Sequence, residues 1–179
     1  MLKKKLGAII IAAAATMIAT AASVVPAHAA NNPSRSVTSH PVSWTIESAN
    51  CTQIPAGTTV IGSGTITDVT TIRVDQSGVR HERTDSHAEG SAVDQDDNVY
   101  SFRYDSVATA QNSLASPQVF NGLFVDAFGL RGHGPAAMTN GFTADFTDDR
   151  NAGTFLINPR SVRGDPIAFP SGPSRCDPR

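Results

Sequence analysis

Residues 99–105 read VYSFRYD, in which aromatic side chains alternate with polar ones from Tyr100 onward. Neighbouring residues of a β-strand point to opposite sides, so Tyr100, Phe102 and Tyr104 would share one face and the polar residues the other. The stretch therefore predicts a half-buried antiparallel strand.

Similar runs lie on both sides of this strand, separated by Gly, Pro and Asp-Asn clusters, and no stretch shows helical spacing of apolar residues. Strands are predicted at 42–47, 58–75, 79–93, 99–105, 118–132, 138–146 and 153–157. Residues 106–117 are predicted to form a polar connection, where a short helical turn fits. Turn signals roughly every 8–12 residues indicate an all-β fold of about eight antiparallel strands.

We expect these strands to close into a single antiparallel β-barrel, with a β-sandwich as the alternative. Gly62 and Gly64 interrupt a long strand and would let it coil, and closure removes exposed strand edges. Small residues on one face of the following strand would leave room for aromatic side chains of its neighbours: Ser86, Ala88, Gly90 and Ala92.

The first 29 residues predict a secretory signal peptide. Three lysines precede an apolar run at 6–25, and Ala27-His28-Ala29 follows as a small-x-small cleavage site. Cleavage there would leave a mature chain of 150 residues that begins at Ala30, a length that fits one domain with a substantial core.

Within the mature chain we expect a flexible lead-in at 30–41 and a single domain at 42–179. A C-terminal arm at 158–179 holds five of the eleven prolines, so it cannot be a central strand. We expect this arm to lie over the barrel. No other apolar stretch approaches 20 residues, so no membrane span is predicted.

Charge excludes several functions. All three lysines lie in the predicted signal peptide, so the mature chain has 11 arginines against 16 acidic residues, a formal charge of about −5. A mildly acidic chain without lysine lacks the basic surface that nucleic acids and anionic membranes require. Schiff-base chemistry and phosphate loops that use a lysine are excluded as well.

The two cysteines, Cys51 and Cys176, both remain after cleavage. An even number of cysteines in an exported chain predicts a disulfide, because the compartment is oxidising. The bridge would join the two ends of the domain.

Aromatic side chains are the candidate lining of a ligand cavity, with a solid core as the alternative. Asp126 lies among apolar residues of a strand predicted to be covered on both faces, so its carboxyl group needs a hydrogen bond, an arginine or a proton. Arg103 and Arg131 are its candidate partners. The other cavity candidates are Tyr100, Phe102, Tyr104, Phe120, Phe124 and Phe128.

Two patterns resemble metal sites without meeting their requirements. His87 and Glu89, with His133 later in the chain, follow the loose order of a two-histidine, one-carboxylate iron site, but a solvated strand face with cross-strand ion pairs is the favoured interpretation. Asp94 and Asp96 suggest calcium, yet the glycine and glutamate of an EF-hand loop are missing. We therefore predict no metal and no cofactor.

His133, in the turn at 129–135, is a candidate general base together with Asp126 as an acid, and an ordinary turn residue is the alternative. No serine lies in a Gly-x-Ser-x-Gly elbow and no His-Glu-x-x-His occurs. Serine hydrolase and zincin chemistry therefore have no local support.

Four segments carry a resemblance: CTQIPAGT at 51–58, DQDDNVY at 94–100, GDPI at 164–167 and CDP at 176–178. They resemble a loosely defined group of small secreted proteins of high-GC Gram-positive bacteria, for which no catalytic residues are known. The expected barrel looks like the calycin and allene-oxide-cyclase-like barrels, which bind or transform apolar molecules. The resemblance implies no functional residue here.

We therefore expect a secreted, monomeric β-domain that binds a small apolar ligand or an extracellular protein partner. One alternative is a cofactor-independent enzyme of cyclase, isomerase or hydrolase type that uses the barrel cavity. Another is an extracellular interaction module that uses its outer sheet or its proline-rich tail.

Overall fold

The computed structural model describes residues 33–164 and Cys176. None of these residues lies in a helix, so the predicted all-β class is confirmed. Seven strands make up the regular structure: β1 (Ser34–Glu47), β2 (Thr59–Val74), β3 (Arg80–Asp94), β4 (Val99–Ser113), β5 (Ser116–Gly132), β6 (Met138–Asp149) and β7 (Thr154–Arg163).

The strands form one antiparallel sheet in which each strand pairs with the next along the chain. β1 and β7 are the two edges, and no hydrogen-bonded ladder joins them among the described residues. The predicted barrel is therefore corrected to a single open sheet, which also replaces the sandwich alternative. Pro41 in β1 and Pro159 in β7 have no backbone N–H to donate, and proline is tolerated at such edges.

Five strands are longer than the sequence predicts, and the difference is largest for β1, β4 and β7. β1 begins at Ser34 instead of residue 42, β4 continues to Ser113 through the predicted connection, and β7 passes Pro159 to end at Arg163. The first eight residues of β1 are exposed on both faces, so no apolar alternation marks them. Residues 1–29 and the rest of the C-terminal arm, apart from Gly164 and Cys176, lie outside the described residues.

The sheet curls strongly toward one face. Trp44 of β1 packs edge-to-face against Phe102 of β4, with ring centroids 5.1 Å apart, and against Phe128 of β5 at 5.5 Å. These strands are not neighbours of β1 in the sheet, so the face that carries the three rings must be concave. Cross-strand register places the even-numbered residues of β1–β6 on this concave face and the odd-numbered residues on the convex face.

Aromatic rings cover glycines on the concave face. Trp44 lies directly opposite Gly62 in the register, and its ring occupies the space that a Cβ atom of Gly62 would need. Phe102 covers Gly90 in the same way, so the room predicted beside Gly90 is filled by a neighbouring strand's ring. A glycine in a strand has no side chain to pack, and an aromatic ring from the neighbouring strand that lies over it supplies the missing apolar contact.

One end of the sheet is held by the predicted disulfide, which is confirmed. Cys51, in the β1–β2 connection, is bonded to Cys176, and both residues are buried. Gln53 of the same connection donates a hydrogen bond to Asn140 of β6, and the Asn140 amide donates to the carbonyl oxygen of Cys176 at 3.1 Å. Side chains and a covalent bond thus connect the β1 side of the sheet to β6 here.

Arg150 holds the opposite end. Its guanidinium lies 3.8 Å from the centre of the Phe120 ring and pairs with Glu82 of β3 at 2.9 Å and with Asp148 of β6 at 3.0 Å. These partners lie on three strands, so this one side chain ties β3, β5 and β6 together across the concave face.

Candidate ligand site on the concave face

A row of polar side chains crosses the middle of the concave face. Its members are paired in register from β1 to β5, and we call them the polar row: Thr38, Asp68, Ser86, Ser106 and Asp126. The Ser86 hydroxyl donates to the Asp68 carboxylate at 2.5 Å, and Ser106 is buried beside them. The row continues onto Phe142, which lies opposite Asp126 on β6.

Aromatic side chains lie on both sides of the polar row and are only partly covered. Tyr104 of β4 lies on the disulfide side of the row, and Phe124 of β5 lies on the side toward Arg150. Phe124 and Phe142 contact each other with ring centroids 5.4 Å apart. All three rings are half-buried, whereas Phe102 and Phe128 toward the disulfide end are buried. The middle of the concave face therefore offers apolar surface next to hydrogen-bonding groups.

This region is open toward the β1 side. Residues 34–41 of β1 are all exposed, so they do not close over the concave face, and β1 forms no ladder with β7 in the described part of the chain. Among the described residues, Tyr104, Phe124 and Phe142 accordingly remain partly exposed.

Asp126 lies on this face as a half-buried residue, whereas the two arginines considered as its partners do not. Arg103 and Arg131 are odd-numbered and lie on the convex face. Arg103 pairs with Asp105 at 2.6 Å, a hydrogen bond that raises the pKa of Arg103 and lowers that of Asp105. Since a side chain cannot pass through the sheet, neither arginine contributes to a site with Asp126.

The six aromatic cavity candidates all lie on the concave face but divide into two groups. Tyr104 and Phe124 are partly exposed and contribute to the candidate site. The other four are buried in the core and are not accessible to a ligand: Tyr100, Phe102, Phe120 and Phe128. Phe142, which the sequence also offers as a lining residue through its alternation with Ala144 and Phe146, lies on the same face.

The convex face carries the histidine and glutamate considered for a metal. His87 Nδ1 lies 2.8 Å from Asp105, and its Nε2 lies 3.6 Å from Glu89, on an exposed surface. His133 is exposed in the β5–β6 connection. Within residues 33–164 and Cys176, His, Cys, Asp and Glu side chains nowhere gather in threes with a geometry suited to a metal ion.

A groove of about 840 Å³ lies on the same convex face, lined in part by Glu89, Arg103 and Arg131. Its charged side chains are of both signs and largely exposed. It holds the two arginines predicted for a cavity, and Phe102 and Phe128 also belong to its lining, whereas Tyr104, Phe124 and Asp126 do not.

Asp94 organises the β3–β4 turn. Its buried carboxylate accepts hydrogen bonds from the Tyr100 hydroxyl at 2.7 Å, from the Asn98 side chain at 2.9 Å and from the backbone N–H of Asp96 at 3.0 Å. Burial acts to raise the pKa of Asp94, but the hydrogen bonds from Asn98 and Tyr100 outweigh it, so the pKa is lowered overall. The carboxylate oxygens proposed for calcium are used within the turn.

Replacing this carboxylate is expected to change how stability depends on pH. A lowered pKa in the folded state means that Asp94 stabilises the fold above its unfolded pKa of about 4 and loses that contribution as the pH falls further. We expect Asp94→Asn to be less stable at neutral pH and to lose less stability between about pH 4 and pH 2 than wild type. Urea unfolding across this range measures both effects.

Asp96→Asn is the matched control, because Asp96 is exposed in the same turn. It should keep the wild-type pH dependence. Parallel stability curves for wild type and Asp94→Asn would contradict the assigned role of the carboxylate.

The fold and site define an all-β protein with one open, curled antiparallel sheet and a candidate site on its concave face. Comparison with protein-family models, curated proteins and solved structures found no match. In the part of the chain described here, no helix has the length and apolar character needed to cross a membrane.

Proposed function

We propose that this is a secreted binding protein that holds a small, largely apolar ligand on the concave face of its sheet. The observation that carries the proposal is the half-exposed aromatic surface of Tyr104, Phe124 and Phe142 beside the polar row. Concave apolar surface with a few polar groups is typical of small-molecule sites, because binding removes the apolar groups from water.

The polar row favours a ligand that donates a hydrogen bond. Asp68 and Asp126 are acidic, and no member of the row is basic. A carboxylate accepts hydrogen bonds and favours a hydroxyl or amine on its ligand. The ligand class that fits is therefore an apolar body with one donor group.

Export is part of the proposal. Residues 1–29 contain a basic start, an apolar run and then a small-x-small cleavage site, an order typical of a cleaved leader. The Cys51–Cys176 disulfide is typical of proteins in oxidising compartments. The enzyme alternative has no comparable support, because Arg103 and Arg131 do not share a face with Asp126 and His133 is exposed in the β5–β6 connection.

N-phenyl-1-naphthylamine, a fluorescent apolar probe with one N–H donor, tests the site. We expect saturable binding by the wild-type protein and at least about tenfold weaker binding by Phe124→Ala, because burying a phenyl ring contributes roughly 1.5–3 kcal/mol. Fluorescence titration gives the dissociation constants.

Val125→Ala is the matched control. Val125 is adjacent in sequence, is 39% exposed and lies on the convex face, so its truncation should change probe binding by less than about twofold. Thermal unfolding verifies that both variants are folded. Absence of saturable binding by wild type, or equal weakening in both variants, would refute the concave site.

A further inference from the structure

The outer edge of β7 is an apolar strand edge without a neighbour. β7 pairs only with β6 among the described residues, so the backbone groups along its other side have no strand partner. Phe155 is 52% and Leu156 61% exposed, and residues 154–158 carry no charge. Long apolar edges readily add another strand, and native proteins usually protect them.

The opposite edge of the sheet is protected in this way. The exposed half of β1 contains Arg35, His40 and Pro41, and Val37 is its only large apolar residue with high exposure. Charges and proline oppose pairing with another chain. On β7 the first such residue is Pro159, so the stretch 154–158 lacks this protection.

The residues between Gly164 and Cys176 are too few to reach the centre of this stretch. Gly164 lies beside Asn140, and the carbonyl group of Cys176 accepts a hydrogen bond from the same Asn140. The intervening 11 residues begin and end at one place, so they reach at most about 20 Å from it and back. Leu156 lies eight residues along β7 from Gly164, roughly 26 Å away.

We propose that the edge of β7 pairs antiparallel with the same edge of a second copy of this chain, with a two-fold axis at Leu156. In that register Leu156 faces Leu156 of the partner subunit, Phe155 faces Ile157 of the partner subunit, and Thr154 faces Asn158 of the partner subunit. By symmetry Ile157 also faces Phe155 of the partner subunit. All five pairs are therefore neutral, and the three central ones are apolar. Such cross-strand pairs stabilise a sheet.

The register is favoured because it gives the longest uninterrupted pairing. Centring the axis one residue later would bring Pro159, which lacks an N–H, against Phe155. Centring it one residue earlier would use Gly153, a turn residue with φ of 64°. Arg160 already pairs with Asp145 of its own chain at 2.6 Å, so it does not need a partner across the axis.

A two-fold contact of this kind is closed, because it uses the same edge on both copies. The polar β1 edges remain outermost in the resulting 14-stranded sheet and oppose further growth. The inferred state is therefore a dimer and not a fibre, in contrast to the monomer expected from the sequence. The inference is independent of ligand binding, since the concave site lies on other strands.

Sedimentation of the exported protein, with its N-terminus determined by sequencing, measures the association directly. We expect dimers at micromolar concentrations and a roughly hundredfold weaker association for Leu156→Lys, because two like charges would face each other at the axis. Val37→Lys is the matched control, an exposed valine on the other edge, and should remain dimeric. Wild type that stays monomeric at about 200 µM, or equal losses in both variants, would overturn the proposal.

Cysteine cross-linking tests the register. Residues directly opposite across antiparallel strands have Cβ atoms about 5 Å apart, so Leu156→Cys should form a disulfide between copies on oxidation. Thr154→Cys should not, because its symmetry mate would lie four residues away along the strand, roughly 13 Å. Equal cross-linking of both variants would overturn the two-fold register at Leu156.

Discussion

Removal of the Cys51–Cys176 disulfide is expected to lower the free energy of unfolding by about 4–5 kcal/mol. The two residues are 125 positions apart, and the bridge restricts nearly the whole domain in the unfolded state. The entropic contribution of a bridge grows with the logarithm of the loop it closes and reaches this size for about 100 residues. Typical domains have a total stability of about 5–15 kcal/mol, so the loss is large.

Urea unfolding of the Cys51→Ala/Cys176→Ala double variant against wild type measures this difference. The sequence contains only two cysteines, so a reductant acts on this bridge alone. Wild type with dithiothreitol should therefore approach the double variant, and dithiothreitol should leave the double variant unchanged. A difference below about 1 kcal/mol would show that the bridge does not hold the fold in this way.

Gly62→Ala is expected to destabilise the protein by about 2–3 kcal/mol. The new methyl group would overlap the ring of Trp44, which lies directly across from Gly62. That ring is already held between Phe102 and Phe128, so it cannot move aside without disturbing the core. Overpacking of a filled core typically has this cost.

Gly129→Ala provides the matched comparison. A Cβ atom on Gly129 would meet nothing within 4 Å, and its backbone has no positive φ. Its substitution should change stability by less than about 0.5 kcal/mol, or raise it slightly by restricting the unfolded chain. Thermal unfolding and the emission of the single tryptophan separate the two outcomes, since only Gly62→Ala should displace Trp44. Equal effects would contradict the close packing.

The strands with apolar alternation could be predicted from sequence, whereas the polar ones could not. Tyr100, Phe102 and Tyr104 mark β4 because their face of the strand is packed against the core. Residues 34–41 have no such pattern, since both of their faces meet solvent. Hydrogen bonding to β2 and a contact between the Ser39 and Thr67 hydroxyls at 3.0 Å hold them instead.

Closure of the sheet could not be predicted from alternation. The pattern indicates which face of a strand is covered, and it is the same for a closed barrel and for an open sheet that curls. The difference depends on whether the first and last strands form a ladder. Pro41 and Pro159 carried the relevant signal, because neither can donate to such a ladder.

The candidate site was only partly predictable, and the main error concerned faces. Asp126 lies on the aromatic face of β5, but Arg131 is five positions away on the same strand. An odd separation places two residues on opposite faces of a regular strand. Counting along the strand would have excluded this pair, and the register with β4 excludes Arg103 in the same way.

Each strand pairs with its neighbour in sequence, so every ladder in the sheet can form from a local hairpin. The packing of Trp44 against Phe102 and Phe128 is different, because it brings together residues 58 and 84 positions apart. Chain segments so distant meet more slowly than hairpin strands do. Emission of the single tryptophan therefore reports on the curling of the sheet. We expect it to change later in folding than circular dichroism, which reports on the backbone pairing.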